Sequence, residues 1–224
     1  MDFNTGTGGT GGERGSPREP GGPPPPPRPS GVAAGAEFRY TDPVQTFIST
    51  VQGVVLQPAS FFGGILRRGD FVNPLIFALI CYEVSAILGG LIGLAFGNRG
   101  FGGFVSGIIF GAIAAAIGLF IGAGILHLLV MLIVGSRNGG YEATFRVFAY
   151  SSVTSLVSWI PIIGWIAGLV YGIYLGIVGI REVHTTTTGK AALVVLIPVG
   201  VLFLIFVVLA IVVGVVIFSA LNAQ

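Results

Sequence analysis

Charged residues are scarce in this sequence and make up 9% of its 224 positions, against roughly 25% in an average soluble domain. So little charge cannot cover the surface of a water-soluble fold, and this excludes a soluble enzyme. The net charge is only +2 and no basic stripe is present, which excludes nucleic acid as a partner. We therefore expect a protein embedded in a lipid bilayer, in agreement with the mean hydropathy of +0.92.

Chemistry-bearing motifs are also lacking. The single cysteine, Cys81, cannot form an internal disulfide or an all-cysteine metal site. No serine lies in a Gly-x-Ser-x-Gly elbow, and Gly139-Gly140-Tyr141 lacks the Lys-Ser/Thr of a phosphate loop. The first residues resemble neither a cleavable signal peptide nor a lipidation site. We expect no catalytic residues, no cofactor and no bound metal.

Glycine and proline are abundant at the start of the chain. Residues 1–41 hold ten of the 37 glycines and eight of the 13 prolines. With few apolar side chains to offset the entropy of ordering, this segment is predicted to be a disordered arm. Its polyproline run, 23–29, is typical of ligands for aromatic grooves, but the composition favours a flexible tether.

Residues 42–73 have the pattern of interfacial amphipathic helices. Asp42-Pro43 is typical of a helix start, and apolar residues then recur at steps of three and four through Leu56. Aromatic residues beside Arg67 and Arg68 suit a lipid headgroup layer. The segment is predicted either to lie along the membrane face or to pack on the end of a helix bundle.

Residues 74–224 are predicted to form an all-α transmembrane domain. The residues from 147 to 180 carry no charge but are too many for one straight span, so Pro161 and Gly164, flanked by Trp159 and Trp165, are expected to break them into two. The fold class is thus a five-helix transmembrane bundle preceded by an interfacial helix and an arm. The predicted spans are 74–97, 104–135, 143–160, 163–181 and 191–219.

The charged loop residues predict the orientation. With five spans and a cytoplasmic N-terminus, the basic residues Arg67, Arg68, Arg137, Arg146, Arg181 and Lys190 all fall inside, and only Arg99 falls outside. The positive-inside rule therefore favours a C-terminus on the opposite side of the membrane.

Glycines within the spans recur at steps of four, which keeps small residues on one helix face where backbones approach closely. They predict that spans one, two and four form a tight centre and that span five lies at the periphery. The same ladders could serve homodimerisation. The candidate packing residues are Gly89, Gly93 and Gly97 in span one, Gly103, Gly107 and Gly111 in span two, and Gly164, Gly168, Gly172 and Gly176 in span four.

Glu83 and His127 are acidic and basic side chains that fall well inside predicted spans, away from the span ends. Such residues are costly in lipid and often functional. A carboxylate and an imidazole are the minimum for a proton relay, and the two could meet. A single hydrogen bond that fixes helix packing is the simpler interpretation.

The sequence resembles the Yip family of Ypt-interacting membrane proteins, and its bacterial members most. The resemblance covers about 43–219 and is carried by Asn73-Pro74 and by the blocks around Thr144, Arg146 and Tyr150 and around Pro161 and Gly164. It implies five spans, a cytoplasmic N-terminus and a location in the bacterial inner membrane rather than an endomembrane.

These observations favour a non-enzymatic scaffold that organises the membrane, with lipid as its surroundings. A protein partner at the cytoplasmic face and a homo-oligomer both remain open. The alternative is a small transporter or channel that uses Glu83 and His127, and an intramembrane enzyme is the weakest hypothesis.

Overall fold

The computed structural model describes residues 37–97, 100–136 and 138–222, and every regular element in these ranges is helical. Positions 98, 99 and 137 of the predicted loops, and residues 1–36 of the predicted arm, lie outside the described residues. The elements in chain order are α1 (Pro43–Leu56), α2 (Pro58–Gly64), α3 (Val72–Ala95), α4 (Phe101–Ile133), α5 (Tyr141–Ser151), a 3-10 helix (Ser152–Val157), α6 (Ile163–Val183) and α7 (Thr188–Asn222).

Four helices are long and apolar enough to cross a membrane: α3, α4, α6 and α7. They correspond to predicted spans one, two, four and five, with ends that differ by at most three residues. An 18-residue window of α7 contains no buried residue, which confirms the peripheral place predicted for that span.

The third predicted span, 143–160, differs from the expectation of one transmembrane helix. It consists of α5 followed by the 3-10 helix, and together they extend about 28 Å. The change from α-helix to the tighter 3-10 helix occurs in a run of serine and threonine residues. There Ser152 Oγ, Thr154 Oγ1 and Ser158 Oγ each donate a hydrogen bond to the carbonyl three residues earlier.

Consecutive long segments run in alternating directions. α3 and the α5–3-10 segment run the same way. The Phe71 and Phe145 rings meet near their starts, 5.1 Å apart, and Ser85 Oγ in the middle of α3 meets Ser158 Oγ, just after the 3-10 helix, at 2.9 Å. α4 runs opposite to α3, with Phe104 covering Gly90 and Phe120 beside Phe71.

α6 runs opposite to α5. It begins beside the end of the 3-10 helix and ends beside the start of α5, where the Gly139 N–H donates to His184 Nδ1 at 2.9 Å. The turn between the 3-10 helix and α6 lies where the Pro161–Gly164 signal predicts a break.

α1 and α2 form a hairpin that packs into the side of the bundle. α1 begins near the start of α3, where the Tyr40 N–H donates to Asn73 Oδ1 at 3.0 Å. It ends where Tyr171 Oη, in the middle of α6, donates to the Val55 carbonyl at 2.6 Å. α2 then returns along α6 to the level of Glu182. The end of α1 therefore lies about 16 Å along α6 from the level of Glu182.

Aromatic packing holds this hairpin in place. Phe77 of α3 meets Phe38, Phe47 and Tyr150 at ring distances of 6.0, 5.2 and 5.3 Å, and Phe61 of α2 meets Tyr150 at 5.2 Å. These ring contacts favour the packed position over a purely interfacial one, since aromatic pairs contribute about 0.5–1.5 kcal/mol each beyond the area that they bury.

The fold begins before residue 41, which corrects the predicted boundary of the arm. Glu37 and Phe38 belong to the predicted arm, yet Phe38 is 1% exposed in the core and Glu37 pairs with a buried arginine of α5. Glu37 and Phe38 were missed because a single buried aromatic and a single carboxylate leave no periodic signal at the end of a low-complexity segment.

Candidate functional site

A buried ionic cluster joins the N-terminal segment to α5. Arg146 and Tyr150 lie four residues apart, so they share one helix face. Arg146 Nη1 and Tyr150 Oη both donate to Glu37 Oε2, the latter at 2.9 Å. Glu37 Oε1 accepts from the Leu66 N–H at 2.7 Å. The cluster ties together three segments that are distant in the sequence.

The loop before α3 completes the surroundings of Arg146. Arg146 Nη2 donates to the carbonyl oxygen of Asp70 at 2.8 Å, and its Nε has no partner among the described residues. The Asn73 N–H donates to Asp70 Oδ1 at 2.8 Å and holds the pKa of that carboxyl below its usual value. Asn73 thus anchors both this loop and Tyr40, which gives Asn73-Pro74 a structural role.

A second polar cluster joins α4, α5 and the end of α6. Thr144 Oγ1 lies 2.9 Å from His127 Nδ1 and 3.0 Å from His184 Nε2. Because His184 Nδ1 accepts from the Gly139 N–H, we assign the His184 proton to Nε2, which then donates to Thr144. The Thr144 hydroxyl can in turn donate a hydrogen bond to His127 Nδ1, which is closer than its other acceptor, the Gly140 carbonyl at 3.4 Å. The three side chains then form a chain of hydrogen bonds with one direction.

His184 remains neutral in this cluster. Burial, followed by the neighbouring His127 and Arg67, lowers the pKa of His184 to about 4. The close approach requires glycine, because a Cβ on Gly139 would lie 2.6 Å from the Val183 carbonyl oxygen, and Gly140 has a φ of +89°. The arrangement is an uncharged tie between three helix ends.

Glu83 and His127 are not brought together. The rings of Phe71 and Phe120 mark where α3 and α4 meet, and the two titratable residues lie on opposite sides of that contact, about 28 Å apart along the helix axis. Glu83 Oε2 is buried with no partner among the described residues. The predicted meeting fails because antiparallel packing sends the two residues toward opposite ends of the bundle.

The Pro161–Gly164 block forms a tight turn that starts α6. The Ile163 N–H donates to the Pro161 carbonyl at 2.7 Å around Ile162, whose φ of 63° and ψ of −65° define a strained γ-turn. A Cβ on Gly164 would overlap the carbonyl oxygen of Val157. The turn therefore needs glycine at 164 to let α6 begin against the 3-10 helix.

The glycine ladders differ in what they contact. In α6, Gly164 and Gly168 face backbone carbonyls of the 3-10 helix, Gly172 faces the Thr154 side chain, and Gly176 faces Val195 of α7. In α3, Gly89 meets Trp159 and Gly93 is half-buried. Gly97 lies in the turn after α3 and has a φ of +68°.

The ladder glycines of α4 do not lie in the tight centre of the bundle that their spacing predicts. A Cβ on Gly111 would meet no atom of another described residue within 4 Å, Gly103 is exposed, and Gly107 is half-buried. The spacing of small residues defines a helix face but not the element that covers it, so it cannot distinguish internal packing from an open surface.

Sequence reasoning also missed His184 and Glu37 as members of buried clusters. Each lies at least 40 positions from its partner in α5, and such separations leave no periodic trace. The Yip-like blocks did contain Thr144, Arg146 and Tyr150, which are the α5 members of both clusters.

The family model for the Yip1 domain matches residues 53–220, about three quarters of the chain. The comparisons with curated proteins and with solved structures give no match.

Proposed function

Because the chain belongs to the Yip1 domain family, as a multi-pass membrane protein, we propose that it is a non-enzymatic scaffold that shapes or organises the bilayer. The element that acts on lipid is the α1–α2 hairpin. Its insertion beside the bundle is the observation that carries this proposal.

The hairpin has the properties of a wedge in one leaflet. Its inner side packs on the bundle, while Val44, Ile48 and Leu56 on its outer side are 72%, 50% and 72% exposed. These side chains are apolar and exposed on a hairpin that packs along the membrane-spanning helix α6, so they are placed to contact lipid. Added volume in one leaflet favours curvature toward that side, as shallow amphipathic helices do.

Five crossings with a cytoplasmic N-terminus complete the proposal. The alternating directions of α3, α4, the α5–3-10 segment and α6 support this topology, and α7 turns back along α6, where Val195 faces Gly176. The α5–3-10 segment is nearly as long as the roughly 30 Å hydrocarbon core. Arg67 Nη2 donates to Thr185 Oγ1 at 3.1 Å, so the basic residues around α2 and the α6–α7 loop share one end. The positive-inside rule makes that end cytoplasmic, in a bacterial inner membrane.

Tubes drawn from giant vesicles test the wedge. Reconstituted protein should concentrate in the narrow tube relative to the flat membrane when its hairpin faces outward. The triple variant Val44→Ser, Ile48→Ser, Leu56→Ser should lose this enrichment. The matched control, Leu204→Ser, Val208→Ser, Ile211→Ser on the exposed surface of α7, should retain it. Equal enrichment of the two variants would refute a wedge.

A protein partner at the cytoplasmic face is part of the same proposal. The test is a pull-down from native membranes with the full chain and with residues 1–36 deleted. The cut at 36 leaves Glu37 on Arg146, so a lost partner would reflect the deleted segment rather than a damaged fold. Retention of every partner by the shortened chain would place the contact elsewhere.

The transporter alternative has less support. It required Glu83 and His127 to share one path, and the antiparallel packing of α3 and α4 separates them. A proton flux through reconstituted protein that Glu83→Gln abolishes would reverse this preference.

A further inference from the structure

A cavity of about 500 Å³ lies between α4, the α5–3-10 segment, α6 and α7. This volume falls within the 300–1,000 Å³ typical of small-molecule sites. Glycine keeps one wall open, since Gly168, Gly172 and Gly176 of α6 line it beside Gly122 of α4. None of the polar clusters described above borders it.

The cavity lies deep in the hydrocarbon region. Its Ser158 contacts Ser85 of α3, which is about 20 Å from the start of that helix. The cavity opens sideways, because Trp165 and Leu169 of α6 and Leu202 of α7 line it and are also exposed on the outer surface. A molecule would therefore enter from the bilayer rather than from water.

Two hydroxyl groups in the cavity wall lack hydrogen bonds. Ser151 Oγ and Ser155 Oγ are buried and have no partner among the described residues, whereas Ser152, Thr154 and Ser158 bond to nearby carbonyls. An unsatisfied hydroxyl inside hydrocarbon is costly. Both oxygens are covered in the rotamers of this structure, so binding requires a rotation about χ1 that turns each hydroxyl toward the ligand.

The lining also limits the charge of the occupant. Tyr82 is the only titratable residue among those that line the cavity, so nothing there would neutralise an ion. A phospholipid keeps its polar oxygens at the interface, far from this depth. The ligand that fits is therefore a neutral, lipid-soluble molecule with an oxygen atom in the middle of an apolar chain.

We propose that this cavity binds a neutral lipid whose carbonyl or ether oxygen accepts hydrogen bonds from Ser151 and Ser155. The inference goes beyond the scaffold function and does not depend on the wedge. The hydroxyl groups orient the ligand, and the apolar walls supply most of the affinity.

Photolabelling in phosphatidylcholine vesicles tests the site with 4-hexylbenzophenone, a neutral ketone. Labelling should fall on cavity-lining peptides of α6 or α7. 12-Tricosanone, with its oxygen at mid-chain, should suppress labelling at a lower concentration than the hydrocarbon tricosane. The difference should be about fivefold for each hydrogen bond that the ketone gains. Equal competition by the two would mean that the cavity holds plain acyl chain only, which overturns the proposal.

Variants separate the cavity from the surrounding lipid. Val199→Phe fills the cavity and should abolish specific labelling, while Val201→Phe, two residues away on the exposed side, should not. The double variant Ser151→Ala, Ser155→Ala should remove the preference for the ketone over the hydrocarbon. The control Ser106→Ala, at an exposed position of α4, should leave that preference intact. Equal labelling of the two phenylalanine variants would refute the site.

Discussion

Arg146 of α5 donates a hydrogen bond to the carboxylate of Glu37, 109 positions earlier in the chain. The arginine side chain is 3% exposed and the glutamate side chain 11% exposed. An arginine buried to this extent is tolerated only with a partner. The pair therefore fixes where the N-terminal segment ends and the membrane-embedded fold begins.

Glu37→Gln should destabilise the protein strongly. Removing one partner of a buried ion pair typically costs 3–5 kcal/mol, since the remaining charge stays buried. The control is Glu182→Gln, which breaks a pair with Arg181 that is about one third exposed and contributes little. The melting temperature in detergent should fall clearly for the first variant only, and similar values for both would contradict the role given to Glu37.

Gly164→Ala should damage the fold far more than Gly214→Ala. A methyl group at 164 overlaps the Val157 carbonyl, whereas at 214 it meets no atom of another described residue within 4 Å. Backbone cannot yield as a flexible side chain does, so we expect a cost of about 3 kcal/mol. Melting temperature and the monodisperse fraction after detergent extraction measure it. Indistinguishable behaviour would show that the 3-10 helix and α6 do not pack this closely.

Ile162→Gly should stabilise the turn. Isoleucine at a φ of 63° is strained, and glycine removes a cost of about 1–3 kcal/mol while adding a smaller entropic one. Ile163→Gly is the matched control, because Ile163 is equally exposed but starts α6 with helical geometry. Melting temperature should rise for the first and fall for the second, and a fall for both would argue against the γ-turn.

Part of this fold follows directly from the sequence. The four long helices were predicted to within three residues at each end, because lipid forces long apolar runs into helices that satisfy their own backbone. Pro161 and Gly164 mark the turn before α6 for the same local reason. The sequence left open whether the α1–α2 hairpin packs on the bundle or lies along the membrane face, since an amphipathic pattern looks alike whether the apolar face meets lipid or protein.

The candidate sites were less predictable than the helices. Thr144, Arg146 and Tyr150 stood out through the Yip-like block, but their partners Glu37 and His184 are determined by tertiary packing. Glu83 and His127 are predicted to interact because polar residues of this kind are rare within membrane spans, but the antiparallel packing of α3 and α4 separates them. Chemical type identifies candidate residues, whereas topology decides which of them meet.

The stability of the protein should fall between pH 6.5 and pH 4 through His184. Its pKa is about 4 in the fold, set by burial, His127 and Arg67, and near 6.5 when unfolded. The unfolded chain therefore binds the extra proton first, and stability present above pH 6.5 is lost as pH falls, by about 3 kcal/mol. In His184→Gln the melting temperature should depend much less on pH in this range than in wild type. His127→Gln should reduce the dependence only in part, because burial lowers the pKa of His184 more than His127 does. An unchanged slope in His184→Gln would assign the effect to carboxylates instead.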